Sequence, residues 1–127
     1  RDGPEYAAIT LGSTRSYIRT NEEIARRVIR SYAEAVHLLK TDKTVGMRVI
    51  QKYARVKDPE ILEGTYSESR DYLESVPYVS RKGLEMILAE LGEKDLKARQ
   101  AKPEDILDMR FVAELEREGF FKKLREK

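Results

Sequence analysis

Cysteine and tryptophan are absent from this sequence of 127 residues, and histidine occurs once. The absence of cysteine excludes disulfides, thiolate catalysis and zinc sites built on cysteine. The single histidine, His37, falls inside a predicted helix, and a lone histidine without a partner at metal-ligand spacing makes a poor metal site. We therefore expect a structural or surface role for His37, and we expect no metal or other cofactor.

Clustered glycines and long apolar runs are absent as well. The 7 glycines are isolated from one another, and neither GxGxxG nor GxxxxGK occurs, so nucleotide binding is not expected. No apolar segment approaches the roughly 20 residues of a membrane-spanning helix. The first residues do not show the basic and apolar regions of a signal peptide. Because the sequence opens with Arg1 rather than methionine, we expect it to be a piece of a longer protein.

Charge of one sign is not in excess. The 25 lysines and arginines stand against 23 aspartates and glutamates, for a formal net charge of +2, which provides no long-range attraction to nucleic acid. Acids and bases alternate along the chain, as they do on solvated helix faces. Acidic pairs such as Asp105 and Asp108 lie at predicted helix starts, where acids stabilise the helix dipole. We expect neither a nucleic-acid partner nor a catalytic carboxylate pair, and therefore no enzyme.

The length fits one domain, and one strand is expected near its amino end. Residues 6–11 form a short run of small and β-favouring residues between Pro4 and Gly12, which predicts a buried strand. No second strand signal follows, so its partners would lie in a second copy or in sequence outside this chain. Residues from about 21 to 125 carry helical patterns. The expected fold class is therefore mainly α with one N-terminal β-strand.

Residue types at helix ends predict where the helices begin. Residues 20–23, Thr-Asn-Glu-Glu, form a capping box, which predicts the start of the longest helix. Its apolar residues recur at steps of three and four, as on an amphipathic helix. Asp42, Asp58 and Ser80 are the predicted N-caps of the next three helices. The later signals are a short turn from Pro103, a cap at Asp108 and a helix end at Gly119.

A polar cluster follows the predicted strand directly. Ser13, Thr14 and Arg15 supply two hydroxyls and a guanidinium, and such groups at the C-terminal end of a strand can converge on an anionic ligand. The alternative is a plain connecting loop whose hydroxyls bond its own backbone. We take these three residues as the candidate ligand-binding site.

Several short motifs stand in the order and spacing of a known family. The most specific is the run from Lys102 to Phe120, which contains Lys-Pro-Glu-Asp-Ile-Leu-Asp-Met-Arg-Phe-Val and ends in Gly-Phe. It follows Asp-Pro-Glu-Ile-Leu at residues 58–62 and Val-Pro-Tyr at residues 76–78. With the predicted strand and long helix before them, these motifs resemble the C-terminal portion of ABC-transporter substrate-binding proteins of the nitrate, sulfonate and taurine class. That class also includes binders of the thiamine pyrimidine precursor.

The resemblance implies a function and a larger fold. It implies a type II periplasmic-binding-protein fold of two α/β lobes, of which residues 1–127 would be the C-terminal part of one lobe. The whole protein would capture a small anionic or zwitterionic solute in the cleft and deliver it to the permease subunits, outside the cytoplasm, in the periplasm or lipid-anchored at the cell surface. Because such a cleft needs both walls, this piece alone is not expected to bind solute tightly. Its unpaired strand edge and apolar helix face suggest self-association.

Two alternatives remain open. One is a helical adaptor domain that docks another protein through an apolar groove, which the scarcity of polar site residues favours. The other is an enzyme of the thiamine-precursor type, which the resemblance permits, although the chain has no cysteine and no pair of histidines.

Overall fold

The computed structural model describes Ala7 and residues 9–126. Those residues form nine helices and contain no strand. The helices are α1 (Arg15–Thr20), α2 (Glu22–Thr41), α3 (Lys43–Ala54), α4 (Pro59–Tyr72), α5 (Arg81–Gly92), α6 (Leu96–Gln100), α7 (Pro103–Ile106), α8 (Arg110–Arg117) and α9 (Phe120–Arg125).

Three predicted N-caps are confirmed. Asp42 Oδ1 accepts a hydrogen bond from the amide three residues on at 3.0 Å, and Ser80 Oγ accepts from the amide three residues on at 2.9 Å. Asp58 Oδ1 accepts from the amides two and three residues on, at 2.9 and 3.1 Å. Each cap satisfies amides that have no partner within the helix, so the starts of α3, α4 and α5 follow from single residues.

The prediction of a strand over residues 6–11 is wrong. Ala7 and residues 9–11 have no strand conformation, while Tyr6 and Ala8 lie outside the described residues. The side chains of Ile9 and Leu11 are 58% and 53% exposed, so this part of the run is not buried. A strand needs a neighbouring strand for its amides and carbonyls, and no other described segment is one. The expectation of a fragment of a two-lobed α/β fold is therefore also wrong, because the described residues form a small helical domain.

The predicted start of the longest helix at residues 20–23 is confirmed, since α2 begins at Glu22, but the predicted capping box there is wrong. Thr20 ends α1, and its hydroxyl donates to the backbone carbonyls three and four residues earlier, at 3.2 and 3.0 Å. Asn21 stands at the N-cap of α2 without a side-chain cap bond. The polar segment before it is helical because Thr14 Oγ1 accepts from the amide of Tyr17 at 3.2 Å and so starts α1. A sequence pattern typical of a helix start thus lies between two consecutive helices.

The core lies between α2 and the C-terminal helices. Ala33 of α2, Val112 and Leu115 of α8 and Phe121 of α9 form a cluster in which each residue is at most 5% exposed. Ile29, Val76 and Phe120 are partly buried and pack against this cluster. Helix α8 supplies two of its four buried residues, so the C-terminal part of the chain is an integral part of the fold.

A second packing centre joins α2, α3 and α4. Tyr66 of α4 is 3% exposed, and its hydroxyl donates to the carbonyl of Leu39 on α2 at 3.1 Å. Gly46 of α3 lies against the Tyr66 ring, where an added Cβ would be 2.6 Å from Cε2. Glycine is needed here because any side chain would displace the ring. None of the helices in the described part of the chain is long and apolar enough to span a membrane.

Candidate functional site

A wide groove lies on the described surface, and we call it the apolar groove. Its volume is about 1110 Å³. It lies between the amino-terminal segment, α2, the connector between α4 and α5, α5 itself and the start of α8. Its lining includes Ile9 and Leu11 of the amino-terminal segment, Tyr32 of α2, Tyr72 of α4, Val76 and Tyr78 of the connector, Lys82 and Met86 of α5, and Val112 of α8.

The floor of the apolar groove is continuous with the core. Val112 is 2% exposed, and Val76 packs against its cluster. The connector that carries Val76 is fixed to α8, since the Tyr78 hydroxyl donates to Glu116 Oε2 at 2.7 Å. That hydrogen bond is the main reason why the pKa of Tyr78 is raised. The groove is therefore a fixed feature of the fold, and the hydrophobic core supports its floor.

The rim of the apolar groove consists of exposed apolar side chains. Ile9, Leu11, Tyr72, Tyr78 and Met86 all line it, and each is more than a third exposed. Exposed apolar residues are common when scattered, but a contiguous apolar depression marks a binding surface.

Polar groups in the apolar groove are few. Its charged lining residues are Glu74, Lys82 and Asp108, and Asp108 is bonded through both oxygens to Arg110, at 2.9 Å each. These bonds hold the pKa of Asp108 below its usual value. Burial raises the pKa of Tyr32. No group of three or more histidine, aspartate or glutamate side chains in the described residues could hold a metal ion. The groove is suited to bind an apolar surface.

A clamp of two arginines fixes α8, which forms one groove wall, on α2. Arg26 of α2 donates to both oxygens of Glu114 at 2.9 and 3.2 Å. Arg110 of α8 donates to Glu22 of α2 at 3.2 Å. The two guanidinium groups lie 5.6 and 5.2 Å from the centre of the Phe111 ring, within the range of cation–π attraction. The clamp therefore sets the position of Val112 in the groove floor.

The predicted ligand-binding residues lie outside the apolar groove. Ser13 is exposed. Thr14 Oγ1 caps α1 and lies 3.2 Å from Ser16 Oγ. The Arg15 guanidinium donates to the backbone carbonyl of Asp105. Thr14 and Arg15 thus make bonds within the fold, and no strand end gathers the three residues at one point. Their binding of an anion stays a prediction.

The sequence reasoning missed the groove residues. Tyr66 is buried, whereas Tyr53 is 74% exposed and Tyr72 lies on the rim of the groove. The available signal was Met86, which stands between the apolar residues Leu84 and Ile87 in the sequence and makes α5 apolar on more than one side.

The chain exposes more surface than a folded monomer of its size. Its accessible surface is 9719 Å² for a mass of 14.7 kDa, whereas about 6,900 Å² is typical. The eight residues that the structure does not describe would expose about 1,300 Å² if they were fully extended. After this area is subtracted, the accessible surface still exceeds the typical value by roughly 1,500 Å². The helices of this chain are therefore packed less compactly than those of an average folded monomer of the same mass.

No family model, curated protein or solved structure matches this chain. The likeness to substrate-binding proteins therefore rests on the motifs quoted above.

Proposed function

We propose that this chain is the helical part of the solute-binding component of an ABC importer. The whole protein captures a small anionic or zwitterionic solute, such as nitrate, a sulfonate or taurine, outside the cytoplasm, and delivers it to the transmembrane permease subunits. The observation that carries this proposal is the ordered set of motifs that ends with the run from Lys102 to Phe120.

The fold gives that run a physical role. Asp105 accepts from the amide of Lys102 at 3.0 Å and so begins α7. Arg110 and Phe111 form the clamp on α2, and Val112 is in the core. The run thus maintains the packing of the C-terminal helices. The run therefore stabilises the helical fold, and the solute is selected by other residues.

The exposed surface supports the same assignment. A helical layer that covers another part of a larger protein needs one exposed apolar face. Among the described residues, the apolar groove is such a face. The expected covering surface is the remainder of the longer importer component.

The scarcity of polar groups in the apolar groove indicates how the solute is held. A small anion needs several converging hydrogen-bond donors or charges, and Lys82 is the one lysine or arginine among the lining residues. Most contacts to the solute would therefore come from residues outside this chain. The chain alone should bind nitrate or taurine weakly.

The test is a thermal-shift screen of the complete natural protein that contains this chain. Nitrate, taurine, alkanesulfonates, bicarbonate and pyrimidine precursors are added in turn, and a ligand that binds the folded state raises Tm by mass action. One ligand class should raise Tm in a saturable way, while the isolated chain shows no shift. A natural protein that consists of residues 1–127 alone and responds to no ligand would rule out the importer function.

A second candidate is a helical adaptor domain. The specific observation in its favour is the apolar groove itself, because amphipathic helices of partner proteins commonly dock in such grooves. The extent of the natural protein distinguishes the two candidates. An importer component needs further residues that form the solute site, whereas an adaptor does not.

A further inference from the structure

A small pocket lies between α5, α6 and α7, and it shares no lining residue with the apolar groove. We call it the α5–α6 pocket. Its volume is about 350 Å³, at the lower end of the range for small-molecule sites. A partner helix, about 10 Å wide, does not fit into it. The charged residues of its lining are Glu85, Glu93 and Arg99.

Close packing of α6 on α5 forms one end of this pocket. Gly92, the last residue of α5, is buried, and an added Cβ there would lie 3.0 Å from the Cα of Arg99 on α6. The Nε of Arg99 donates to the carbonyl of Gly92 at 2.9 Å. This bond fixes the guanidinium at the pocket, while its two terminal nitrogens form no bond to another described residue.

Ion pairs fix the other end of the pocket. Arg81 of α5 pairs with Glu85 at 3.0 Å and also with Glu104 of α7, so α7 is held beside α5. The floor between the two ends is apolar, because Leu88 is 9% exposed and Pro103 is buried. The pocket therefore combines an apolar floor with charged groups at its opening.

Two opposite charges line the pocket without pairing to each other. Among the described residues, the Glu93 carboxylate has no hydrogen-bond or ion-pair partner, and Arg99 has no acidic partner. Both are exposed. A ligand with an anionic group for Arg99 and a cationic group for Glu93 can bridge them through charge-assisted hydrogen bonds.

We infer that the α5–α6 pocket binds a free amino acid with an apolar side chain, such as L-leucine. Its carboxylate accepts hydrogen bonds from the terminal nitrogens of Arg99, and its ammonium group donates to the Glu93 carboxylate. Its side chain covers Leu88 and Pro103. The inference is independent of the importer function, because it concerns a pocket that residues of this chain form by themselves.

The lining of the pocket distinguishes this ligand from related ones. A simple anion meets the carboxylates of Glu85 and Glu93, and a simple cation meets the guanidinium of Arg99, so each gains less than a molecule with both charges. An uncharged apolar molecule would desolvate the charged groups without pairing them. Taurine has both charges but no apolar group for the floor. A zwitterion with an apolar side chain matches all of these features.

An NMR titration of isotope-labelled residues 1–127 with L-leucine tests the inference. Amide signals should shift in a saturable way, with a dissociation constant near about 1 mM, and the shifts should cluster between residues 85 and 103. Isocaproate lacks the ammonium group, isoamylamine lacks the carboxylate, and taurine lacks the apolar group. Each of these three compounds should bind at least about 10-fold more weakly than L-leucine.

Two variants each remove one charge, and each has a matched control. Glu93→Gln should raise the dissociation constant at least about 10-fold, whereas Glu90→Gln, at an exposed position of α5 outside the lining, should leave it unchanged. Arg99→Gln should weaken binding to the same degree. Lys97→Gln, at an exposed position of α6 outside the lining, should not.

If Arg99→Gln does not fold by circular dichroism, Ala89→Phe decides, since it fills the pocket from an exposed position and leaves every charge in place. This variant should abolish the saturable shifts. The inference is overturned if L-leucine gives no saturable shifts, or if a comparison compound binds as tightly. It is also overturned if the pocket variants bind L-leucine as well as their controls do. None of these results bears on the importer function, which the thermal-shift screen of the complete protein tests.

Discussion

Arg26 on α2 and Glu114 on α8 are 88 residues apart in the chain and share two hydrogen bonds, of 2.9 and 3.2 Å. Their side chains are 33% and 32% exposed. This pair is more protected from water than the helical pair Arg30–Glu34, whose side chains are 55% and 50% exposed. The bidentate geometry and the partial burial both reduce solvent screening, so the Arg26–Glu114 pair is expected to stabilise the fold.

A double-mutant cycle tests that expectation. Arg26→Ala and Glu114→Ala, alone and together, should show a favourable coupling free energy, because each residue is the other's partner across two helices. The matched cycle on Arg30 and Glu34 should give a clearly smaller coupling. The measurement is urea unfolding of all variants, and equal coupling in the two cycles would show that the clamp adds nothing to an ordinary surface pair.

The packing of α8 predicts a large effect at Leu115. This side chain is 2% exposed within the core cluster, and Leu115→Ala should lower the free energy of unfolding by about 2–5 kcal/mol. Leu96→Ala on α6 is the control, since Leu96 is 68% exposed and its truncation should change stability by no more than about 0.5 kcal/mol. Chemical denaturation compares the two, and similar losses would contradict the described core.

Two helical glycines should respond to alanine in opposite directions. At Gly46 an added Cβ would meet Tyr66 Cε2 at 2.6 Å, whereas at Gly64 nothing lies within 4 Å. Gly64→Ala should stabilise α4 by about 0.5–1 kcal/mol through helix propensity. Gly46→Ala should destabilise by about 1–3 kcal/mol, as overpacking does. Thermal unfolding of both variants gives the signs, and stabilisation at Gly46 would mean that the Tyr66 ring is free to move.

The end of α3 contains a strained residue. Arg55 has φ of 56°, in the left-handed region, which is unfavourable for residues with a side chain by roughly 1–2 kcal/mol. Arg55→Gly should therefore raise the free energy of unfolding by about 1 kcal/mol, after allowance for the greater entropy of unfolded glycine. Gly119 has φ of 70° and open space around it, so Gly119→Ala should lower stability by a similar amount. Urea unfolding measures both, and a loss of stability in Arg55→Gly would contradict the strain.

Stability should fall in acid partly through Asp108. The hydrogen bonds from Arg110 lower the pKa of Asp108 below its ordinary value of 3.8, so the folded state holds this proton less tightly than the unfolded state does. The carboxylate then contributes stability above the unfolded pKa and loses it as the pH falls through the folded pKa. Asp108→Asn should lower Tm at neutral pH and reduce the further drop in Tm between neutral pH and about pH 3.

The control for this pH dependence is Glu118→Gln, at an exposed position just after α8. Its Tm should follow the same pH profile as the unaltered chain. An unchanged acid drop in Asp108→Asn would show that the Asp108–Arg110 pair does not contribute.

The starts of α3, α4 and α5 could be predicted because an N-cap is a local interaction. Asp42, Asp58 and Ser80 each bond amides two or three residues away, and the sequence contains all of that information. The capping-box pattern at residues 20–23 failed because Thr20 finds carbonyls in the preceding turn, which α1 provides.

Neither the absence of a strand at residues 9–11 nor the apolar groove could be predicted from local patterns. An apolar run such as residues 6–11 shows that side chains favour contact with other apolar groups, but strand pairing is decided by distant segments. The groove likewise depends on where α2, α5 and α8 meet. Val76 belongs to it through tertiary packing alone.

Val76 and Val112 belong to both the floor of the groove and the hydrophobic cluster beneath it. Any molecule that binds there stabilises the folded state. The equilibrium between folded and unfolded chain therefore shifts with the concentration of that molecule. Recognition and folding are thus thermodynamically linked in this protein. Because the same side chains serve both roles, a change that loosens this floor would weaken binding in the groove and expose the chain to proteases at the same time.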